Sequence, residues 1–462
     1  MGKPLDSETP ADKAAAASDA TARPAGSVPA PAAAEGASAP TTAFTPTLER
    51  ERPGADEPFM LHLADAAGRA MDTIARRVED SPRASVRTGE GFGPFKLTRR
   101  AAKPKRDRHT RRKVAFLRYG YYDIAFKFFV EHVLDADFVA LGEPTKRTVE
   151  LGAANSNDFV CAPFKHILGD YIEALELGAD VLVQFTGPCR LGYYGELQES
   201  ILRDMGYDFD MLNFATVAGK PLSDYISTCK KKVNPNLSVP AGVAGMLAVF
   251  KMVECLDAYN DFYLANAGFE ANPGDFSRAR KAFFADMWAA ENRRDVEAAY
   301  ARAIAAAQAI PCTRPADPVR VGLVGEYFTA VDPASNLHVE DKLLAMHVEL
   351  ARMLNLTNRN LRYNEPNLRR SIPEYARFDM GPTSTMTIAA AKRYAEAGFD
   401  GIVHLKSSGC TPEIDVMPAL QRISRDYHVP VLFLSYDSQT SDTGLDTRLE
   451  AFYDMIAMRK AK

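Results

Sequence analysis

Three cysteines, Cys161, Cys189 and Cys410, stand beside turn residues in a pattern that indicates metal or redox chemistry. Cys161 and Cys410 each have a proline two residues later, in a Cys-x-Pro sequence, and Cys189 follows a Gly-Pro pair. Proline and glycine beside a thiolate expose the sulfur and leave backbone N–H groups to hydrogen-bond it, as iron–sulfur sites require. The spacing differs from the close Cys-x-x-Cys pairs of zinc ribbons and bacterial ferredoxins. The three thiols can therefore converge only if distant parts of the chain face each other.

A phrase that occurs twice predicts how these cysteines are positioned. Residues 158–189 read as a short strand ending at Cys161, an amphipathic helix, and a buried strand followed by Gly-Pro-Cys. Residues 396–410 repeat the end of a helix, a Gly, an Asp, a buried strand and Gly-Cys. Two copies predict two similar α/β halves, each with cysteine at the carboxyl ends of its strands, where open α/β sheets bind ligands. The spacing alone leaves three separate buried cysteines as an equal alternative, and the repeat favours convergence.

Three further residues are candidates for proton transfer beside the cysteines. Glu326 and Glu413 follow predicted strands at the same edge, and His166 lies on a predicted helix. Carboxylates and histidine are common general acids and bases. A structural role is the alternative for each, because exposed loop carboxylates and lone helical histidines are frequent. A fourth residue, His404, lies inside a predicted buried strand and is expected to be a core histidine.

The remaining cysteines lack the strand-end context. Cys255 lies in a helical apolar stripe, Cys229 stands beside a lysine run, and Cys312 is in a loop next to a proline. We expect structural roles for all three. Six cysteines in a chain of 462 residues do not suggest a disulfide scaffold, and their use fits a cytoplasmic protein.

Length and charge restrict the functional classes. A chain of 462 residues predicts two or three domains, and a net charge of -4 gives no general case for nucleic-acid or membrane binding. The longest apolar stretches, such as 241–250, are too short to span a bilayer, and the N-terminus lacks the apolar core of a secretion signal. The basic run 99–113 reads as a solvated linker, with an anionic docking patch as the alternative, because no aromatic residues interleave for base stacking.

The alternation of short apolar strands with helices predicts an α/β fold with two Rossmann-like parallel-sheet domains facing a shared cleft. In the second half we expect strands at 319–324, 402–405 and 429–434, with a helix at 339–354 between the first two. The predicted organisation is a disordered Ala/Pro-rich tail (1–55), a peripheral helix and basic linker (56–112), the first α/β domain (113–238), a helical insertion (239–312) and the second α/β domain (313–462).

Several phrases between residues 113 and 462 resemble a known family. They are CAPFKHILGD (161–170), the strand that ends in GPC (187–189), GEYFTAVDPASN (325–336), GFDGIVHLKSSGCTPE (398–413) and SDTGLDTRLEAF (441–452). In order, they look like the 2-hydroxyglutaryl-CoA dehydratase D-component superfamily. They look closest to its subgroup of proteins related to the CoA-substrate-specific enzyme activase.

The resemblance implies stacked Rossmann-like domains with an iron–sulfur cluster between them, either [4Fe–4S] or, in one branch, a fused double-cubane. By motif, the ligands fall on Cys161, Cys189 and Cys410, which would leave one iron open. In the family, a separate ATP-hydrolysing activator supplies low-potential electrons, and dehydratase or reductase members act on CoA thioesters. This chain has neither a P-loop nor a strand-flanked G-x-G-x-x-G, so any ATPase is a separate protein.

The expected function is therefore a cytoplasmic iron–sulfur protein that passes electrons to a substrate such as a CoA thioester, as a 2-hydroxyacyl-CoA dehydratase-like lyase or as a reductase. Its expected partners are the ATP-dependent activator and the substrate, and a homo- or heterodimer is compatible with the family. Two alternatives stay open: a non-catalytic electron-transfer or scaffold subunit of a larger complex, and a cofactor-free two-lobed binding module. The tail and the basic linker have no match in the dehydratases, and the activase-related subgroup leaves the reaction open.

Overall fold

The computed structural model of the protein describes residues 111–185, 194–214, 222–358, 362–363, 365–378, 380–437, 440 and 442–461. The predicted tail, the predicted peripheral helix, most of the basic linker and Cys189 lie outside these residues. Within them the chain forms two parallel sheets surrounded by helices. This arrangement confirms the predicted α/β fold class, while the predicted domain boundaries stay predictions.

The first sheet contains four strands in the order β2-β1-β3-β4, all parallel. Val114 in β1 pairs with Phe138 on one side and with Val181 on the other, so β1 is a central strand. Such strands are covered on both faces and read as continuous apolar runs. The strands are β1 (Lys113–Phe116), β2 (Asp137–Phe138), β3 (Val181–Gln184) and β4 (Asp210–Asn213).

The second sheet repeats the first, with the strand order β6-β5-β7-β8. Its strands are β5 (Arg320–Gly325), β6 (Glu349–Arg352), β7 (Gly401–Ser407) and β8 (Val431–Tyr436). The Gly-Asp phrase that suggested the repeat has the same role in both halves. Asp180 N–H donates to Lys113 O and Asp400 N–H donates to Arg320 O, each at 2.9 Å, where the third strand begins. The two predicted halves are thus present in the fold.

The helices of the first half cover both faces of its sheet. An α-helix continued by a π-helical turn, Phe129–Val133, connects β1 to β2. Two helices connect β2 to β3, one connects β3 to β4, and another follows β4. They are α1 (Asp123–Phe128), α2 (Lys146–Ala154), α3 (Ala162–Glu176), α4 (Tyr194–Asp204) and α5 (Leu222–Lys232).

The segment between the sheets is helical, as the sequence predicts. It comprises α6 (Val239–Asn266), a 3₁₀ turn (Ala267–Phe269), α7 (Asp275–Trp288) and α8 (Arg293–Gln308). Gly274, which follows Asn272 and Pro273, adopts a φ of 89° directly before α7. Asn292 caps α8 by accepting from the N–H groups of Arg294 and Asp295.

One helix, Val239–Phe269, is long and apolar enough to cross a membrane by length and composition alone, with a mean hydropathy of 1.6. The expectation that every apolar stretch is too short was therefore wrong for this segment. The helix carries a buried charge, however, and its second half packs in the main core through Met252, Leu256 and Tyr259. The buried residues of α6 are concentrated in that second half.

The second half corrects one predicted element. The expected helix at 339–354 is a short helix followed by strand β6. His347 adopts a φ of 58°, which ends the helical path, and Glu349–Arg352 then pairs with β5. The helices of this half are α9 (Tyr327–Val331), α10 (Val339–Leu344), α11 (Glu365–Arg370), α12 (Pro382–Glu396), α13 (Thr411–Asp415), α14 (Met417–Tyr427) and α15 (Asp442–Lys460).

A buried carboxylate joins the helical segment to both sheets. Asp257 on α6 accepts hydrogen bonds from the hydroxyls of Tyr121 and Tyr122 at 2.8 and 2.5 Å. Its other oxygen accepts from the N–H of Thr357 at 2.9 Å. The two tyrosines follow β1 and Thr357 follows β6, so one side chain connects the three parts of the chain at the carboxyl edges of two strands.

The described end of the basic run is structural. Arg112 forms ion pairs with Asp180 and Asp210, each at 2.7 Å. These carboxylates stand at the amino ends of β3 and β4, so the guanidinium clamps that edge of the first sheet. Arg111 pairs with Asp135 at 3.0 Å in the same region. These two arginines therefore have structural roles at that edge of the first sheet.

Candidate active site at the cysteines

Cys161 lies at the beginning of α3, not at the end of a strand as predicted. Residues 155–161 form the turn between α2 and α3, and Cys161 is the N-cap of α3 with extended backbone. Pro163 occupies the second position of the helix, where a missing N–H costs nothing. The helix still begins at the carboxyl edge of the sheet, because crossover helices run antiparallel to the strands. The predicted location is therefore right although the predicted element is wrong.

Cys410 follows β7, as predicted, and is the N-cap of α13 with a proline again at the second position. Its sulfur accepts a hydrogen bond from the backbone N–H of Glu413, which favours the thiolate. Burial and the neighbouring carboxylates of Glu326 and Glu413 nevertheless raise the pKa of Cys410 well above its usual range. In the absence of a cation this side chain is a protonated thiol at neutral pH.

The two cysteines meet across the boundary between the halves. A Cβ placed on Gly409 would lie 3.3 Å from Cys161 Cα and 3.4 Å from Cys161 N, so a larger residue would require Cys161 to shift by a few tenths of an ångström. Ala162 N–H donates to Ser407 Oγ at 2.8 Å. The residue after one cysteine is thus hydrogen-bonded to the strand that leads to the other. The predicted convergence of the two halves occurs for Cys161 and Cys410.

A tyrosine that the sequence reasoning missed contacts the first cysteine. The hydroxyl of Tyr194, the first residue of α4, is hydrogen-bonded to Cys161 Sγ. The described chain stops at Phe185 after β3 and resumes at Tyr194, and the third predicted cysteine, Cys189, lies between them. The signal in the sequence was the Tyr-Tyr-Gly that follows Gly-Pro-Cys closely, although it has no recognised chemical meaning.

Glu326 lies at the carboxyl end of β5, on the cysteine edge, as predicted. Its carboxylate caps α9 by accepting from the N–H groups of Phe328 at 2.7 Å and Thr329 at 2.8 Å. The Thr329 hydroxyl donates a third hydrogen bond at 2.8 Å. Burial raises the pKa of Glu326, the three hydrogen bonds oppose that rise, and nearby Glu413 adds to it.

Glu413 is fully buried, although an exposed loop carboxylate was the structural alternative. Its Oε2 lies 2.7 Å from Nε2 of His404, and the Thr387 hydroxyl lies 3.1 Å from Oε1. His404 is equally buried in β7, which confirms the predicted core histidine. Its Nδ1 has no hydrogen-bond partner among the described residues. The pair connects β7 to α13 and so positions the Glu413 N–H that donates to the Cys410 sulfur.

His166 is on α3, as predicted, and faces the other half of the molecule. Its Nδ1 lies 3.4 Å from Ser335 Oγ, which donates to Asp332 at 2.6 Å. Burial lowers the pKa of His166, so the imidazole is neutral at neutral pH. The structure brings it to the boundary between the halves, but no hydrogen bond connects it to either described cysteine.

The same helix carries a buried ion pair. Asp170, also on α3, accepts from Arg118 Nη1 at 2.5 Å and from the Arg118 backbone N–H at 3.0 Å. A second guanidinium nitrogen donates to Glu173 at 2.9 Å. Arg118 follows β1, so this pair attaches α3, and with it Cys161, to the centre of the first sheet.

The other described cysteines are placed as structural residues. Cys229, Cys255 and Cys312 are buried, and burial raises the pKa of Cys229 and Cys255 to about 11. None of the five described cysteines forms a disulfide. Cys229 lies within α5, beside the lysine run.

Residues 364–456 match the family described as 2-hydroxyglutaryl-CoA dehydratase, D-component. This match supports the resemblance of that stretch to the 2-hydroxyglutaryl-CoA dehydratase D-component superfamily. The matched stretch is about a fifth of the chain and contains β7, Cys410 and the His404–Glu413 pair. No curated protein matches the chain. The superfamily resemblance is confirmed, and the activase-related subgroup stays a prediction.

The described residues contribute two thiols to the cluster site that the family implies. Soft thiolates are the ligands that iron–sulfur clusters use, and bound metal deprotonates a thiol. Cys161 and Cys410 therefore fit two corners of such a site, and a cation would offset the charge of the carboxylates beside Cys410. Across the described ranges, no three His, Cys, Asp or Glu side chains are grouped closely enough to hold a metal ion. A third ligand has to come from elsewhere in the chain, and Cys189 is the predicted one.

Proposed function

We propose that the protein is an iron–sulfur protein in which Cys161, Cys189 and Cys410 hold one [4Fe–4S]-type cluster between the two α/β halves. The main evidence is that Cys161 and Cys410, which come from different halves, lie close together at the carboxyl edges of the two sheets. Open α/β sheets bind their ligands at these edges. When bound, such a cluster exchanges single electrons at low potential.

The residues around the pair have separable tasks in this proposal. Gly409 allows the two backbones to approach, and Ser407 fixes the start of α3. Glu413 is committed to His404 and is a positioning residue. Glu326 has the raised pKa and borders the site, so it is the candidate for holding a proton during turnover.

The proposed reaction follows from the superfamily. Its members include components of 2-hydroxyacyl-CoA dehydratases, so the substrate class is a CoA thioester and the reaction is dehydration or reduction. Electrons would come from a separate ATP-dependent activator. The described cysteines form no disulfide, which supports a reducing, cytoplasmic location.

A second candidate function is a non-catalytic electron-transfer subunit, and the surface near the cysteines favours it. Phe159, two residues before Cys161, is 92% exposed, and Ile414, four residues after Cys410, is 46% exposed. Exposed apolar side chains beside a redox site suit a protein partner. Turnover of a CoA thioester by the purified chain with a chemical reductant would argue against this candidate.

The test of the proposal is the iron and acid-labile sulfide content of anaerobically purified protein, with electron paramagnetic resonance after dithionite reduction. Single Cys→Ala changes at Cys161, Cys189 and Cys410 are expected to remove or alter the signal. Cys312→Ala is the matched control, since it removes a buried thiol distant in sequence from the pair. Wild-type protein that stays free of iron and sulfide after reconstitution would refute the proposal.

A further inference from the structure

The hydrogen bond between Tyr194 and Cys161 has a fixed direction once the sulfur is a metal ligand. A thiolate has no proton and can only accept, whereas a phenol can donate. The contact joins Tyr194 Oη directly to Cys161 Sγ. In the loaded protein, Tyr194 is therefore the donor and the sulfur is the acceptor.

Phe164 contacts the tyrosine ring, and two further contacts position the helix α4 that carries it. Phe164 on α3, which is buried, packs edge-to-face on the ring with centroids 5.2 Å apart. The next residue, Gly195, lies so close to Asn213 at the end of β4 that a Cβ would be 2.3 Å from its amide nitrogen. Gln198, one turn further along α4, accepts from Gln184 of β3 at 2.9 Å. The phenol is thus built into the fold.

The two described cysteines differ in their electrostatic surroundings. Cys161 has a neutral phenol as a hydrogen-bond donor. Cys410 has one backbone N–H donor but also the carboxylates of Glu326 and Glu413, which oppose negative charge on its sulfur. The Tyr194 hydroxyl therefore stabilises negative charge on the Cys161 sulfur, whereas the two carboxylates oppose it at Cys410.

We propose that Tyr194 is a positioning residue that donates a hydrogen bond to the Cys161 thiolate and thereby raises the reduction potential of the group bound there. This inference rests on the proposed iron–sulfur function. Reduction adds one electron from a chemical reductant such as dithionite, and the phenol keeps its proton. Hydrogen bonds to cluster sulfurs stabilise the more negative, reduced form.

The first arm of the test uses cluster-loaded protein. Tyr194→Phe keeps the ring that packs on Phe164 and removes only the hydroxyl. The equilibrium constant for one-electron reduction is expected to fall about tenfold, which corresponds to about 59 mV, in a redox titration followed by electron paramagnetic resonance. Tyr225→Phe, which changes a tyrosine of α5 that stacks on Phe214, is the matched control and should leave the potential unchanged. A potential that does not fall in Tyr194→Phe overturns the inference.

The second arm uses metal-free protein, so it decides the inference even if no cluster assembles. The rate of Cys161 alkylation by iodoacetamide is followed by peptide mass spectrometry at one pH. Loss of the donor lowers the thiolate fraction, so Tyr194→Phe should slow labelling of Cys161 several-fold and leave Cys410 unaffected. An unchanged Cys161 rate overturns the inference. Absence of a cluster in wild type would refute only the proposed iron–sulfur function.

Discussion

The two halves share a strand order but tie their third strand to the following helix with different chemistry. In the first half, Gln184 of β3 donates to Gln198 of α4 at 2.9 Å. In the second half, His404 of β7 lies 2.7 Å from Glu413 of α13. All four side chains are buried, and each pair leaves one buried atom, Gln184 Oε1 or His404 Nδ1, without a partner among the described residues.

The difference teaches that a buried side-chain hydrogen bond between the third strand and the next helix is common to both halves, whereas an ionisable pair is not. In the first half, a neutral amide pair connects β3 to α4. The ionisable pair occurs in the half where the strand leads directly to Cys410, and its carboxylate belongs to the residue whose N–H the sulfur accepts. Removal of one partner is therefore expected to cost more in the second half than in the first.

Glu413→Ala should give the largest loss of stability. It leaves His404 buried without its partner, and removing one member of a buried pair costs about 3 kcal/mol or more in free energy of unfolding. Gln198→Ala, the matched change in the first half, should cost about 1–2 kcal/mol because only a neutral hydrogen bond is broken. Urea unfolding measures both values. Equal losses would show that the two ties are equivalent.

Copying the first-half pair into the second half should restore much of that loss. The double change His404→Gln and Glu413→Gln places two amides where the ionisable pair stood. We expect the double variant to be more stable than the sum of its single changes by about 1 kcal/mol. A double-mutant cycle in urea provides the coupling. Additive single changes would mean that the site does not accept an amide pair.

In the first half, we expect stability to depend on pH through Asp123 and not through the Gln184–Gln198 pair. Burial raises the pKa of Asp123, the first residue of α1, to about 7, against an ordinary value near 4. The folded protein thus binds this proton more tightly than the unfolded chain does. The stabilisation that the proton contributes to the folded state is complete below about pH 4 and is lost as the pH rises to about 7.

Asp123→Asn removes this titration and keeps the oxygen that accepts from Tyr119 N–H. Relative to wild type, the variant should gain about 2–4 °C in Tm between pH 5 and pH 8. Scanning calorimetry at the two pH values measures the difference. A constant difference would show that Asp123 titrates in its ordinary range.

The smallest losses of stability are expected at the amino ends of the strands. There, one cationic side chain bridges two aspartates in each half. Arg112 bridges Asp180 and Asp210 in the first half, and Lys460 bridges Asp400 and Asp317 in the second. Arg112→Ala and Lys460→Ala should each cost up to about 1 kcal/mol. Added salt should reduce both losses, and urea unfolding at low and high salt tests this. A loss that salt leaves unchanged would indicate packing by the side-chain stem rather than charge.

The sequence predicted what local patterns and repetition encode. The Gly-Asp phrase and the strand after it identified both halves, because Asp180 and Asp400 have the same backbone role. Strand β6 was missed because its sequence, Glu-Leu-Ala-Arg, consists of strong helix formers, so local propensity continues the helix before it. The partners of Glu413 and Tyr194 could not be predicted, since both contacts arise only when helices pack on strands distant in sequence.

Asp257 has a consequence for the order in which the chain folds. Its carboxylate accepts hydrogen bonds from Tyr121 and Tyr122, which precede it by 136 and 135 residues. It also accepts from the backbone N–H of Thr357, which follows it by 100 residues. Contacts over such separations form late, because long loops must close first. Burying the carboxylate before its partners are in place would leave it without hydrogen bonds, which is costly. We therefore expect α6 to enter the core late, after the segments around Tyr121 and Thr357 have formed.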